Sequence, residues 1–521
     1  MSEYPGSPAK PIQPVALIQI ERALRLLLPA DLYAAIWIDP SSKTLMQAFD
    51  HLRTLQYMLH NYVPPDVIDN PPVPGVPRYR WRSGSLMFTD LAGFTPLSEA
   101  KAAEGQAGAE GLLRLLNDYF AQMIEIISKS GGKLLEFTGD ALLVQFTSPR
   151  PDHELAQSIH AGLRMQRAMA NFSEIQTIHG PRTLRMRVGI HSGQFITADI
   201  GTPMRMGHVL LGRAVQVAKQ AEGAGKTGQV SVTQVIRDRI EQQYHLLPRG
   251  DHHWLIDDTL TADTLGEYDV TFKRRRLATS ILFDRSVASL ISELSVAIAR
   301  VETLSSYIPR SVLGLLVNSV AQRKIPPAFP TIPVIFVNLI GLPEAVDEAL
   351  PEETEASVQC FSQAFALING TVERQGGILQ KVTYHSVGSE MLIHFGVLNP
   401  DEDDAKAAAS AILSIQQHIE ALTSPTVQGR PIKITYRIGF SYGPVFAAEI
   451  GEPRGRREFN ILGDTVNIAA RLMSQAQTNQ VLLSEAAYQA LKADYRCESI
   501  GELALKGKRQ AESVYTLLGA A

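Results

Sequence analysis

The chain has 521 residues, 45% of them apolar and 20% charged, with 38 Gly and 30 Pro. This is an ordinary globular composition, long enough for two large domains or about three to four smaller ones. Lys plus Arg number 49 against 53 Asp plus Glu, a net charge of −4, which argues against a general nucleic-acid binder, and apolar runs such as IPVIFVNLIGL from Ile332 are too short to span a bilayer as a helix.

Cys360 and Cys497 are the only cysteines, too few for a disulfide framework or a thiolate-rich metal site. The opening MSEYPGSPAKPIQP shows no basic-then-apolar signal pattern, so the expected setting is cytoplasmic. Residues 1–80 read as a helical lead-in that runs into the proline-rich DNPPVPGVPRYR. A first domain is expected over 81–257. It opens with the strand SLMFTDLAG, after which Thr95 is placed to cap a helix with Pro96 at its first position. The apolar face of GLLRLLNDYFAQMIEIISKSGG predicts a helix ending at a glycine pair, and KLLEF and ALLVQF predict a hairpin about the turn TGD. A helix over about 151–172, the strand RVGI and a helix around AVQVAKQAE complete a βα, ββ, αβ order. Residues 258–327 read as a linker, with KRRR at 273–276 as a solvated segment and SVASLISELSVAIARVETL as a helix; a second domain follows over 328–521.

The second domain repeats the first. SLMFTDLAG, ending at Gly93, returns as PVIFVNLIG, ending at Gly341, an offset of 341 − 93 = 248. RVGIHSG with Gly189 returns as RIGFSYG with Gly439, offset 250, and VLLGRAVQVAKQ around Gly212 returns as NILGDTVNIAAR around Gly463, offset 251. Matches in one order with slowly drifting offset identify a tandem duplication. The expected class is α+β, two ferredoxin-like domains with a βαββαβ core.

Asp90 ends the first strand and Asp140 sits in the hairpin turn, positions that this topology sets side by side. Two hard oxygen ligands with room for water and phosphate suit Mg²⁺ or Mn²⁺. The duplicate carries Asn338 and Ser389 at those places and should hold no metal. The reverse asymmetry follows along the chain. FNILGDTVNIAARLM offers Asn467 and Arg471, four apart on one helix face, where the first copy has Gln216 and Gln220. An Asn can hold a ribose oxygen and an Arg can clamp a phosphoryl group as charge develops. Each copy thus carries what the other lacks, and one composite site between head-to-tail domains, an intramolecular pseudo-dimer, is expected. GAGKTG at Lys226 lacks the first glycine of a phosphate-binding loop, which would stand at Gln220, and HHW at 252–254 has no ligand partners; both read as surface turns.

MFTDLAGFT, KLLEFTGDALL, FNILGDTVNIAARLM and LALKGKRQAESVYTL together resemble a class III nucleotidyl cyclase with tandem catalytic domains, most like the soluble, bicarbonate-responsive adenylyl cyclase group. The resemblance covers about 80–250 and 328–519. It implies conversion of ATP to 3′,5′-cyclic AMP and pyrophosphate by 3′-hydroxyl attack on the α-phosphorus, with two Mg²⁺ or Mn²⁺ bridging Asp90 and Asp140 and the carbonyl of Leu91 as a further ligand. It makes Asn467 the ribose residue, Arg471 the transition-state arginine, Lys381 and Asn460 the base readers, and Lys506, with Lys508 as its rival, the triphosphate lysine. The degenerate pocket of Asn338, Ser389, Gln216 and Gln220 takes a possible regulatory role toward a small anion. Glu136 and Lys219 stand at the two positions that hold bicarbonate in such relatives; a carboxylate there repels an anion unless Glu136 pairs with Lys219, which would then be unavailable to bicarbonate, so weak or absent bicarbonate activation is predicted. Guanylate cyclase activity and a weakly active nucleotide-binding regulatory module stay open as alternatives; the oligomeric state is open too.

Overall fold

The computed structural model describes residues 14–150, 152–268, 284, 286–319, 325–452, 455–505 and 511–521. The chain divides into two units, Met1–Val63 with Arg274–Ile325, and Pro64–Lys273 with Pro326–Ala521.

In the first unit, helix Ser42–Tyr62 packs on helix Val287–Ser305. Ser41 and Ser286 cap them, each side chain accepting from a backbone N–H three residues on. Leu45, Ala48, Leu52 and Leu55 on one helix, and Leu290, Leu294, Ile298 and Val301 on the other, recur at three and four residues and are buried. The interdomain segment expected as a linker therefore supplies half of a helical pair. The KRRR run lies outside the described residues.

The second unit holds two α+β domains built on one plan. The first has strands β1 (Arg78–Ala92), β2 (Gly132–Thr138), β3 (Ala141–Phe146), β4 (Arg185–Thr202), β5 (Arg205–Leu211), β6 (Val230–Thr233), β7 (Leu246–Arg249) and β8 (His253–Ile256). The second has β9 (Thr331–Ile340), β10 (Ile378–Tyr384), β11 (Ser389–His394), a small pair β12 (Thr426–Val427) and β13 (Arg430–Pro431), then β14 (Thr435–Pro444), β15 (Phe446–Gly451), β16 (Arg457–Leu462), β17 (Gln480–Ser484), β18 (Tyr495–Leu503) and β19 (Glu512–Ala520). One sheet runs β2-β3-β1-β4-β6-β8-β7, with β5 also on β4; the other runs β10-β11-β9-β14-β17-β19-β18, and β15 pairs with β16. Strand for strand the two orders correspond, the structural form of the repeat read from the sequence.

Glycines repeated in both copies explain how the functional helices lie on these sheets. A Cβ on Gly189 in β4 would collide with the backbone of Glu222 in helix Arg213–Ala224, and one on Gly439 in β14 with the backbone of Ala469 in helix Asp464–Gln475. Each helix therefore crosses its strand at backbone contact. Helix Gly105–Lys129 buries Leu112, Leu116, Tyr119, Phe120 and Met123 on the other face of the first sheet. The hydrophobic clusters are reciprocal: Phe446, Ala448, Ile450 and Leu462 of β15 and β16 join the first core, and Ile196, Ala198, Ile200, Val209 and Leu211 of β4 and β5 join the second.

One local expectation is corrected. The helix after β1 is Phe94–Ala102 and its N-cap is Gly93 with φ 96°, so Thr95 lies inside the first turn and does not cap it. A left-handed N-cap favours glycine and leaves the Thr95 hydroxyl for another partner.

Candidate functional site

Asp90, two residues before the end of β1, lies directly opposite Arg187 of β4 in the antiparallel register, and its carboxylate pairs with that guanidinium. Asp140 occupies the two-residue turn between Thr138 and Ala141, made possible by Gly139 at φ 74°. The Asp140 carboxyl is pushed up to about 8 by burial and then by the charge of Asp90. The buried Tyr119 hydroxyl is likewise raised, first by burial and then by Asp140 and Asp90. The two carboxylates thus share one field, as the topology predicts.

Sequence reading missed Arg187 and Glu222 beside this pair, and Lys219, singled out there for a regulatory position, joins them. Arg187 Nε lies 3.1 Å from Glu222 Oε1, and Lys219 Nζ lies 3.0 Å from Glu222 Oε2. Glu222 is 2% exposed at its side chain. Burial works against the Lys219 charge, yet Glu222 and Asp90 hold its ammonium above the ordinary value. The signal for Arg187 was present in MRVGI, but only the strand register puts it against Asp90. With Asp140 protonated, as its raised value favours, Asp90 and Glu222 balance Arg187 and Lys219, 2 − 2 = 0; a cation that displaced this proton would meet three carboxylates against two cations, an excess of 3 − 2 = 1. Hard oxygen donors with uncompensated charge fit a divalent cation. Leu91, next to Asp90, is buried and lies opposite Met186. Among the described residues no group of three or more His, Cys, Asp or Glu gathers as a ready metal cage.

Residues of the other copy reach the neighbourhood of this pair. Asn467, in the first turn of helix Asp464–Gln475, donates from Nδ2 to Thr95 Oγ1 at 3.0 Å. Arg471, one turn on, is half-buried and makes no hydrogen bond or ion pair among the described residues. Lys381 of β10 donates to the Phe137 carbonyl at 2.7 Å, three residues before Asp140, and to Glu458 Oε1 at 2.6 Å. Asn460, two residues beyond Glu458 in β16, is 1% exposed; its Oδ1 accepts from Ile461 N at 3.0 Å and its buried Nδ2 has no partner. The Asn460 oxygen is therefore turned to its own strand, and the nearby acceptor capacity belongs to the Glu458 carboxylate. Lys506 and Lys508 lie outside the described residues.

Glu136 and Lys219 do not pair with each other. Glu136 Oε2 accepts from the Tyr384 hydroxyl at 3.1 Å, and its carboxyl is pushed up to about 8 by burial, against the opposing charge of Lys381. Lys219 is held by Glu222 and sits 5.3 Å over the Phe88 ring.

The four residues expected at the second, degenerate pocket are drawn to one end of the second domain. Buried Asn338 donates to the Val387 carbonyl at 2.9 Å, and buried Ser389 follows that turn. Gln216 Nε2 donates to Glu344 Oε1 at 2.8 Å, and Gln220 Nε2 to the Ser386 carbonyl at 3.3 Å. No helix among the described residues is long and apolar enough to cross a membrane.

The chain is 28% identical over 211 residues to adenylate cyclase 1 of Rhizobium meliloti, which covers 39% of this chain and 31% of that protein. It is 24% identical over 405 residues to adenylate cyclase type 10 of Homo sapiens, covering 75% of this chain and 24% of that protein. The chain thus matches between about a quarter and a third of the length of these relatives. The solved structure of a class III adenylyl cyclase-like ATP-binding protein from Pseudomonas aeruginosa aligns with a TM-score of 0.54 at 14% identity over 85% of this chain and 92% of that one, a likeness of fold. Residues 76–255 and 326–519 each match the adenylate and guanylate cyclase catalytic domain, and the chain belongs to that family.

Proposed function

We propose that the chain is an adenylate cyclase, forming 3′,5′-cyclic AMP and pyrophosphate from ATP at one composite site between its two catalytic domains, packed head-to-tail as an intramolecular pseudo-dimer. The observation that carries this reading is the complementary split of residues. Asp90 and Asp140 occur in one copy, Asn467 and Arg471 in the other, and Asn467 bonds to Thr95, five residues past Asp90.

In this reading Asp90 and Asp140, with the Leu91 carbonyl, hold two Mg²⁺ or Mn²⁺. Bound there, the ions supply acidification of the 3′-hydroxyl and neutralisation of the triphosphate oxygens. Arg187 restrains Asp90 until substrate arrives and then faces the polyphosphate. Asn467 exchanges the Thr95 hydroxyl for a ribose oxygen. Arg471, unpaired among the described residues, is free to meet the charge that grows at the α-phosphorus. Lys381 and Asn460, with Glu458 beside them, face the base; Lys506 is assigned to the triphosphate from its motif alone. The test is purified chain with Mn²⁺ and either ATP or GTP, reading cyclic product and pyrophosphate; absence of cyclic product from both rejects the reading.

A second reading is nucleotide binding with little turnover. It is favoured by the hold of Arg187 on Asp90, which occupies a carboxylate that the metals need. Saturable ATP binding without cyclic product in the same assay would establish it.

A further inference from the structure

Glu344 is the most heavily engaged carboxylate at the second pocket. Its Oε1 accepts from Gln216 Nε2 at 2.8 Å and from the Gly388 amide, and its Oε2 accepts from the Gly341 amide at 2.8 Å. Gly341 follows the strand that ends near Asn338, Gly388 belongs to the hairpin turn before Ser389, and Gln216 comes from the other copy. One side chain therefore ties three elements of two domains.

The repeat offsets give each of these groups a counterpart. Gly341 corresponds to Gly93 (341 − 248), Gly388 to Gly139 (388 − 249), and Gln216 to Asn467 (216 + 251). Glu344 itself corresponds to Pro96 (344 − 248), which has no acceptor. In the other half the bond that the corresponding helix makes across the copies is the neutral one from Asn467 to Thr95. A carboxylate with three donors makes charge-assisted bonds, roughly twice as strong as neutral ones. Flanking contacts reinforce it: the Arg213 amide donates to Asp347 Oδ2 at 2.6 Å, and Gln220 reaches the Ser386 carbonyl. The two halves of the pair thus differ in kind, one held by a built-in anion and the other by a bond that a ligand can replace.

We propose that Glu344 is an internal anion that fills the second half-site and clamps the two domains together there, leaving opening and closing to the half with Asp90. The seat that a regulatory anion would need is already taken, so the degenerate pocket acts as a fixed clamp and not as a receptor. The last clause of the proposal, on which half moves, rests on the cyclase reading; the clamp itself rests on the bonds alone.

The test uses the full chain without nucleotide, unfolded by heat and followed by circular dichroism, in sodium formate or in sodium chloride of matched ionic strength. Glu344→Ala is expected to lower the midpoint by several degrees and to regain part of that loss saturably in formate, which restores a carboxylate to the vacated donors, but not in chloride. Wild type and Glu344→Gln, whose seat stays filled, are expected to show no formate-specific gain. An E344A midpoint equal to wild type, or equal responses to formate and chloride, overturns the proposal. If E344A does not accumulate as folded protein, Gln216→Ala removes the inter-copy bond alone; a lowered midpoint supports the clamp and an unchanged one overturns it. Cyclic-nucleotide production by the wild type separates the two readings. A formate-rescued clamp in an inactive chain rejects the cyclase reading only, and an active chain with a formate-blind E344A rejects the clamp only.

Discussion

The Asn467 carboxamide donates to the Thr95 hydroxyl across 372 positions of sequence, joining the copy that lacks acidic metal ligands to the first turn of the helix that follows Asp90. Neither partner is charged, so breaking the bond costs about 1 kcal/mol and a ribose hydroxyl can take its place. Thr95→Ala is accordingly expected to leave the fold intact and turnover within a few-fold of wild type, whereas Asn467→Ala is expected to lower kcat by about ten- to a hundredfold. Equal effects of the two changes would show that Asn467 serves only the interface.

Asp90→Ala and Asp140→Ala are each expected to abolish Mn²⁺-dependent formation of cyclic product. Both residues stand at a strand end and a turn, outside the apolar clusters. Their unfolding midpoints should therefore stay close to wild type. D90A also frees Arg187 from one of its two carboxylate partners, leaving Glu222. Full activity in either variant would remove the metal assignment.

Much of this was legible because the sequence states the site twice, once with and once without each charge. The duplication, the Asp90 and Asp140 pair and the Asn467 helix follow from motif spacing alone. What stayed hidden depends on which strand lies beside which. Arg187 faces Asp90 only through the β1–β4 register, and the Glu344 bonds need the hairpin turn at Gly388 and a helix from the other copy in one place. Thr95 was misread as a cap because its residue type suits one, while the chain instead turns at Gly93 with a positive φ. Orientation of the Asn460 amide follows from the Ile461 N–H beside it, a contact that spacing does not encode.

Arg471→Ala gives the cleanest separation of chemistry from stability. The side chain has no partner to lose among the described residues, so heat unfolding should be unchanged. Loss of a donor to the developing charge should cost about 3 kcal/mol, roughly a hundredfold in kcat, with little change in KM. A rise in KM at constant kcat would instead make Arg471 a ground-state binder.

Base selectivity should be soft. Lys381 already donates hydrogen bonds to the Glu458 carboxylate and the Phe137 carbonyl, and the Asn460 oxygen is engaged by Ile461, so Asn460 offers an amide donor where the adenine 6-amino group needs an acceptor. Guanine O6 could accept from that amide. The Glu458 carboxylate beside Lys381 and Asn460 is the acceptor on which the expected preference of the wild type for ATP over GTP rests, and Asn460→Asp, which supplies a second acceptor, should widen the ratio of kcat/KM several-fold. A ratio unchanged or narrowed in N460D would place the discriminating contact elsewhere.

Glu136 makes a pH-dependent contribution to stability whose sign can be worked out. Its carboxyl is pushed up to about 8, by burial first, with Glu458 raising it while Lys381, Tyr384 and Arg456 oppose the shift. The ordinary value is 4.5. Between these limits the folded chain keeps a proton that the unfolded chain has lost, so the contribution is fully present below the unfolded value and is lost as pH rises through the folded one. The slope approaches about 1.4 kcal/mol per pH unit inside that window. Glu136→Gln keeps an acceptor for the Tyr384 hydroxyl and cannot ionise. Its stability relative to wild type should therefore grow as pH is raised from about 5 to 8 and level off above that window. Urea unfolding of both proteins at a series of pH values checks this. A constant difference between them would show that Glu136 titrates in the fold as it does in water, and a difference that shrinks with pH would mean that the carboxylate is the form the fold prefers.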